Sequence, residues 1–154
     1  MADRDISEVA RAAVAAARAW IGTPYRHAAS LKGAGADCLG LVRGVWRTLY
    51  GAEPEAAPAY TPDWDETAGD ERLWRAARGH AREIAPAAAR PGDLLLFRMR
   101  AGAPAKHLGV MARSAQGRST VIHAYSGRGV VESPLGPAWS RRIVAAFRLP
   151  ERRG

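Results

Sequence analysis

One cysteine and four histidines carry the reactive chemistry this chain offers. A thiol attacks a carbonyl as thiolate, and a free cysteine with a pKa of about 8.5 supplies little of that form at neutral pH. Cys38 stands where the sequence predicts the first turn of a helix. Leu41, Val42, Val45, Trp46 and Leu49 fall three and four apart behind it, and Gly51 supplies a stop. A helix start provides unpaired backbone N–H groups and the positive end of the macrodipole, both of which favour a thiolate. The same groups can face the oxygen that becomes negative in a tetrahedral intermediate. Asp37, directly before the cysteine, reads as the cap of that helix, with the holding of a substrate amine as the alternative.

An imidazole within reach would complete a nucleophilic site, and a rigid element should carry it. His107 opens one predicted strand and His123 lies inside the next. A hairpin over residues 114–117 centred near Ala115 sets residues whose numbers sum to 230 opposite one another, which places His107 directly across from His123 on one face. One ring can then act as base while the other fixes its tautomer. A buried cysteine alone behaves as a small hydrophobe, and a strand histidine alone as a core residue; their joint placement points to chemistry. Cys38, His107 and His123 are also ligand types for zinc, but the paired spacing usual for that metal is absent, so no metal is expected. His27, in the loop before Cys38, either lines a cleft or is simply exposed. His80 falls near the end of a third predicted helix, where positive charge is favourable.

The elements that must position these residues follow from periodicity and punctuation. Asp5 and Glu8 resemble a capping box ahead of a first helix whose apolar face is Ile6, Val9, Val14, Ala17 and Ile21, ended by Gly22 and Pro24. Residues 23–37 read as loop because Gly33 and Gly35 break any period. Pro54, Pro58 and Pro62 mark a surface excursion. Asp63, Asp65 and Glu66 then precede Arg75, Arg78 and Arg82, the polarity a helix dipole favours, around Leu73 and Trp74. After Pro91 and Gly92 the texture becomes short apolar runs: DLLLFRM, HLGVMA, STVIHAY, GVVES and RIVAAFRL. Helices first and strands afterwards predict α+β architecture, with helices packed on one side of an antiparallel sheet of about five strands. Trp20, Trp46 and Trp74 fall on apolar helical faces; the pattern assigns nothing to Trp64 or Trp139.

At 154 residues the chain has room for a single domain over 1–154, and 47% apolar residues place it among globular proteins. The net charge of +8 would suit an anionic partner, but no nucleic-acid reader motif accompanies it, so no specific nucleic-acid binding is expected. The start of the chain lacks the basic and apolar regions of a signal peptide, and no run approaches the roughly 20 apolar residues that span a bilayer. With one cysteine no internal disulfide can form, which leaves Cys38 available for chemistry.

Taken together, the words GTPYRHAASLKGAGADCLGLVRGVW, RPGDLLLFR, HLGVM and VIHAYS resemble the NlpC-type papain-like cell-wall peptidases, over Trp20 to about Tyr125. The form DCLGLVRGVWR is most similar to versions encoded in prophages and phage-like gene transfer agents. The resemblance implies Cys38 as nucleophile, His107 as base, His123 as the residue orienting it, and Tyr25 as a contributor to the oxyanion hole. Leu39 replaces the family's usual serine after the cysteine, and Ala28 and Ala29 replace its usual Gly-Gly. It implies a papain-like fold, no cofactor, and hydrolysis of peptidoglycan stem peptides, often between D-γ-glutamyl and diaminopimelate residues. It further implies tail hub or baseplate proteins as partners, and delivery to the periplasm by a phage-like tail. A quiescent tail component and an amidase or acyl transferase on the same scaffold are the alternatives.

Overall fold

The computed structural model describes residues 7–53 and 71–152. Asp5, Ile6, the proline excursion, Trp64 and the acidic residues 63, 65 and 66 lie outside them. Helix α1 spans Glu8–Arg18 and is capped by Ser7, whose hydroxyl accepts from the Ala10 N–H at 3.1 Å. Its buried stripe is Val9, Ala13, Ala17 and, one turn on, Trp20. Ile21 was expected on that face but is 45% exposed, because the helix ends three residues earlier and the chain turns out. Helix α2 spans Cys38–Tyr50 and stops at Gly51, which adopts φ +86. A Cβ on Gly44 would sit 2.0 Å from the Trp20 ring, so glycine is what lets α1 and α2 approach. Helix α3, Arg72–His80, buries Leu73.

The loop before Cys38 contains a hairpin of two-residue strands, β1 (Ser30–Leu31) and β2 (Gly35–Ala36). The remaining strands are β3 (Arg82–Ile84), β4 (Leu94–Phe97), β5 (His107–Arg113), β6 (Ser119–Tyr125), β7 (Gly129–Pro134) and β8 (Ile143–Arg148), with a one-turn helix α4 (Pro137–Ser140) before the last. They form one sheet in the order β3-β8-β4-β5-β6-β7, every pair antiparallel. The sheet thus has six strands, not five; β3 is too short to show a period of its own.

Alternation along the strands divides the core. Leu94, Leu96, Leu108, Val110 and Ile122 pack against α1 and α2 in the larger cluster. Leu95, Phe97, Val121 and Ala146 form a smaller one on the opposite face, against which Met111 and Trp139 pack. The Pro-Gly-Asp word before β4 ties these layers: a Cβ on Gly92, at φ +96, would meet the Ala10 side chain of α1 at 2.5 Å. Buried Asp93 accepts from the Arg90 N–H and from both Nε and Nη2 of Arg148. The mixed α+β fold expected from the order of elements is the one present.

Candidate active site

Cys38 is the first residue of α2, and Asp37 caps that helix, its Oδ1 accepting from the Gly40 N–H at 2.8 Å. The second carboxylate oxygen accepts from the Ala28 N–H at 2.6 Å and lies 3.9 Å from Nδ1 of His27. Both oxygens of this buried carboxylate therefore hold the loop before the helix onto its first turn. The approach is close: a Cβ on Gly40 would stand 1.8 Å from the Ala29 carbonyl oxygen. That accounts for a glycine two residues past the cysteine. With Gly40 engaged by the cap, the N–H groups of Cys38 and Leu39 stay free of helical partners and turn toward the sulfur.

The sulfur reaches the start of β5. Its thiol donates to the Lys106 carbonyl at 3.5 Å, and the Leu108 N–H also points at it. Cys38 thus lies against the backbone that flanks His107, while no hydrogen bond joins the thiol to the imidazole in this arrangement. Sequence reasoning expected an acidic sulfur. Instead, burial pushes the Cys38 thiol up to about 11; the N–H groups of Leu108, Leu39 and Cys38 act in the opposite direction but are outweighed. The helix start does what was expected of it, and loss of solvent is the larger effect.

His107 and His123 meet as the pattern required, though by another register. Observed pairs on β5 and β6 sum to 232, Val110 with Ile122 and Met111 with Val121, so His107 is not directly opposite His123. The register differs by two residues, which preserves the face. The two rings meet along a diagonal, His107 Nε2 lying 2.7 Å from His123 Nδ1. Gly109 lies between them, where a Cβ would come within 3.2 Å of His123 Cβ and 2.4 Å of Val121 Cγ2. His123 is fully buried. Burial, and then the neighbouring His123, press His107 down to about 3; burial presses His123 to about 4. Both rings are neutral at pH 7 and share one hydrogen bond.

Tyr25 is half-buried beside Asp37 and Cys38, bridged through its backbone to Ala36. Burial, then the charges of Cys38 and Asp37, push its phenol upward. His80 closes α3 with its ring edge-on to Trp46.

Residues 22–148 match the NlpC/P60 family. The chain belongs to that family. The family includes peptidases and amidases of the cell wall. Among solved structures the fold is similar to NlpC1 from Trichomonas vaginalis, with a TM-score of 0.57 and 18% identity over 92% of this chain and 43% of that one. NlpC2 from the same organism gives 0.57 and 20% over 97% and 49%, and Ly7917 gives 0.52 and 14% over 92% and 62%. The chain therefore spans about half the length of the two NlpC proteins it matches. A search of curated proteins gave no match.

Several residues of this NlpC/P60 site escaped the sequence reading. The Trp139 ring stacks on His107 at 5.6 Å and stands edge-on to His123 at 4.8 Å. Tyr125 stacks on His123 at 5.7 Å, and Phe97, paired with His107 across β4 and β5, has its ring 5.5 Å away. Ser133 Oγ lies 2.9 Å from His123 Nε2. Tyr125 was discoverable, being two residues past His123 and so on its face. Trp139 sits in a single-turn helix that carries no periodic signal.

Proposed function

We propose that this protein is a cysteine peptidase that hydrolyses amide bonds in peptidoglycan stem peptides. Cys38 Sγ attacks the carbonyl carbon, its proton passes to His107 Nδ1, and the carbonyl oxygen gathers negative charge against the Cys38 N–H and the Tyr25 hydroxyl. Collapse of that intermediate breaks the C–N bond, His107 returns the proton to the leaving amine, and a thioester remains on Cys38. Water then adds to the thioester with His107 as base, releasing the acid and the thiol. His123 orients His107 throughout. The observation that carries this reading is the cysteine at a helix start, held against the backbone on either side of a histidine whose Nε2 is bonded to a second histidine.

The bond we assign is D-γ-glutamyl–diaminopimelate, and the setting a phage-like tail that carries the protein, as a single domain, to the periplasm in contact with hub or baseplate proteins. Support for the bond is the resemblance to NlpC-type peptidases, and support for the setting is the resemblance of DCLGLVRGVWR to the tail-borne versions. Purified protein should solubilise peptidoglycan, and Cys38→Ala should abolish digestion while leaving the fold intact. Equal digestion by Cys38→Ala and the parent would refute the mechanism. Mass spectrometry of the released muropeptides separates a peptidase from an amidase, because a cut between sugar and peptide leaves lactyl groups bare.

A second reading, a catalytically quiet tail component, is favoured by one observation: the thiol is protonated and donates to the Lys106 carbonyl. It predicts no digestion by the parent protein under any condition.

A further inference from the structure

The two histidines are not the end of the hydrogen-bonded row. His107 on β5, His123 on β6 and Ser133 on β7 lie along one diagonal of the sheet, each displaced two residues from the position directly opposite its neighbour. The bonds are continuous: His107 Nε2 to His123 Nδ1 at 2.7 Å, then His123 Nε2 to Ser133 Oγ at 2.9 Å. His123 is fully buried, so each ring nitrogen needs its partner from the protein.

We infer that Ser133 is a positioning residue of this site, acting through His123 to keep His107 in the tautomer that can accept a proton. The inference rests on the proposed role of His107 as base. For Nδ1 of His107 to take the thiol proton it must carry a lone pair, so the ring hydrogen resides on Nε2 and is donated to His123 Nδ1. That acceptor role in turn fixes the hydrogen of His123 on Nε2, where Ser133 Oγ receives it. In the opposite arrangement every hydrogen moves one place: Ser133 donates to His123 Nε2, His123 Nδ1–H donates to His107 Nε2, and the hydrogen on His107 Nδ1 blocks the base. An alanine at 133 removes the acceptor that the productive arrangement requires and leaves a buried N–H orphaned, which pushes the pair toward the blocked form. As His107 gains its second proton the row polarises further, so the bond to Ser133 matters most when charge is present.

The test compares the parent with Ser133→Ala and Ser133→Thr. Nitrogen NMR of 15N-histidine-labelled protein distinguishes protonated from unprotonated ring nitrogens without any catalysis. The parent and Ser133→Thr should show His123 protonated at Nε2 and His107 at Nε2; Ser133→Ala should show hydrogen moving to the Nδ1 positions. On peptidoglycan fragments Ser133→Ala should lower kcat about tenfold, the cost of one hydrogen bond to a group that becomes charged, with KM within about twofold and threonine restoring the rate. Unchanged ring tautomers in Ser133→Ala would overturn the inference whatever the kinetics, as would a rate loss that threonine does not restore. Activity surviving Cys38→Ala would instead overturn the underlying mechanism, and the nitrogen spectra would still decide the role of Ser133.

Discussion

With the thiol at about 11, the resting protein should resist alkylation, and the size of the effect can be worked out. At pH 7.5 a free cysteine of pKa about 8.5 is roughly one-tenth thiolate, whereas a thiol at about 11 is ionised to roughly three parts in ten thousand, some three-hundredfold less. The more basic thiolate is the better nucleophile, and a Brønsted slope of about 0.45 over that difference returns roughly tenfold. The native protein should therefore react with iodoacetamide some twenty- to thirtyfold more slowly than the same chain in denaturant. Its rate should climb about tenfold for each pH unit up to about 10, without a plateau. Because Cys38 is the chain's one cysteine, the mass of the intact protein reports the reaction directly. A native rate that levels off below pH 8 would mean that a thiolate–imidazolium pair already exists, and the argument from burial would fail. The same result fits a quiet tail component, and digestion of peptidoglycan by the parent protein is what separates the two.

The two neutral rings predict acid sensitivity. Their folded values lie below the ordinary 6.5, so the unfolded chain binds more protons, and stability is full above pH 6.5 and is lost as pH falls toward about 4 and about 3. Urea melts at pH 7 and pH 5 should differ by roughly 4 kcal/mol, and equal midpoints would contradict the burial of the pair. Gly44→Ala should destabilise by about 2 kcal/mol through its clash with Trp20, whereas Gly79→Ala, whose Cβ meets nothing within 4 Å, should stabilise by up to about 1 kcal/mol. Denaturation curves of the two variants check the contrast, and loss of stability in both would point to something other than packing. Trp139→Ala uncovers the His107 ring, so a proton NMR titration should place its midpoint well above about 3 and nearer the ordinary value; an unmoved midpoint would show that the tryptophan does not keep water from the ring.

Much of this architecture was legible because period and punctuation agreed. The α2 stripe, its Asp37 cap and its Gly51 stop are local signals, and α2 begins and ends where they place it. The five apolar runs became β4 to β8, but β3 has only three residues and its place comes from pairing with β8. Ser7 caps α1, a position the Asp5–Glu8 reading passed over. The hairpin register erred because the β5–β6 loop has five residues, 114–118, and is centred on Gln116; Gly117 at φ +81 accommodates the extra residue. Sharing of a face survived because the register error amounts to two residues, one full period of side-chain alternation. The thiol's raised value could not be read at all, because it depends on how closely the start of β5 packs on the sulfur, a contact 68 residues distant in sequence.

That separation has a bearing on how the protein comes into being. A chain made from its N-terminus presents α1, α2 and the sulfur well before β5 and β6 exist, and the long-range pairing that brings two histidines and a serine into line is the slow part of such topologies. The hydrogen-bonded row of His107, His123 and Ser133 is therefore completed late in the life of each molecule.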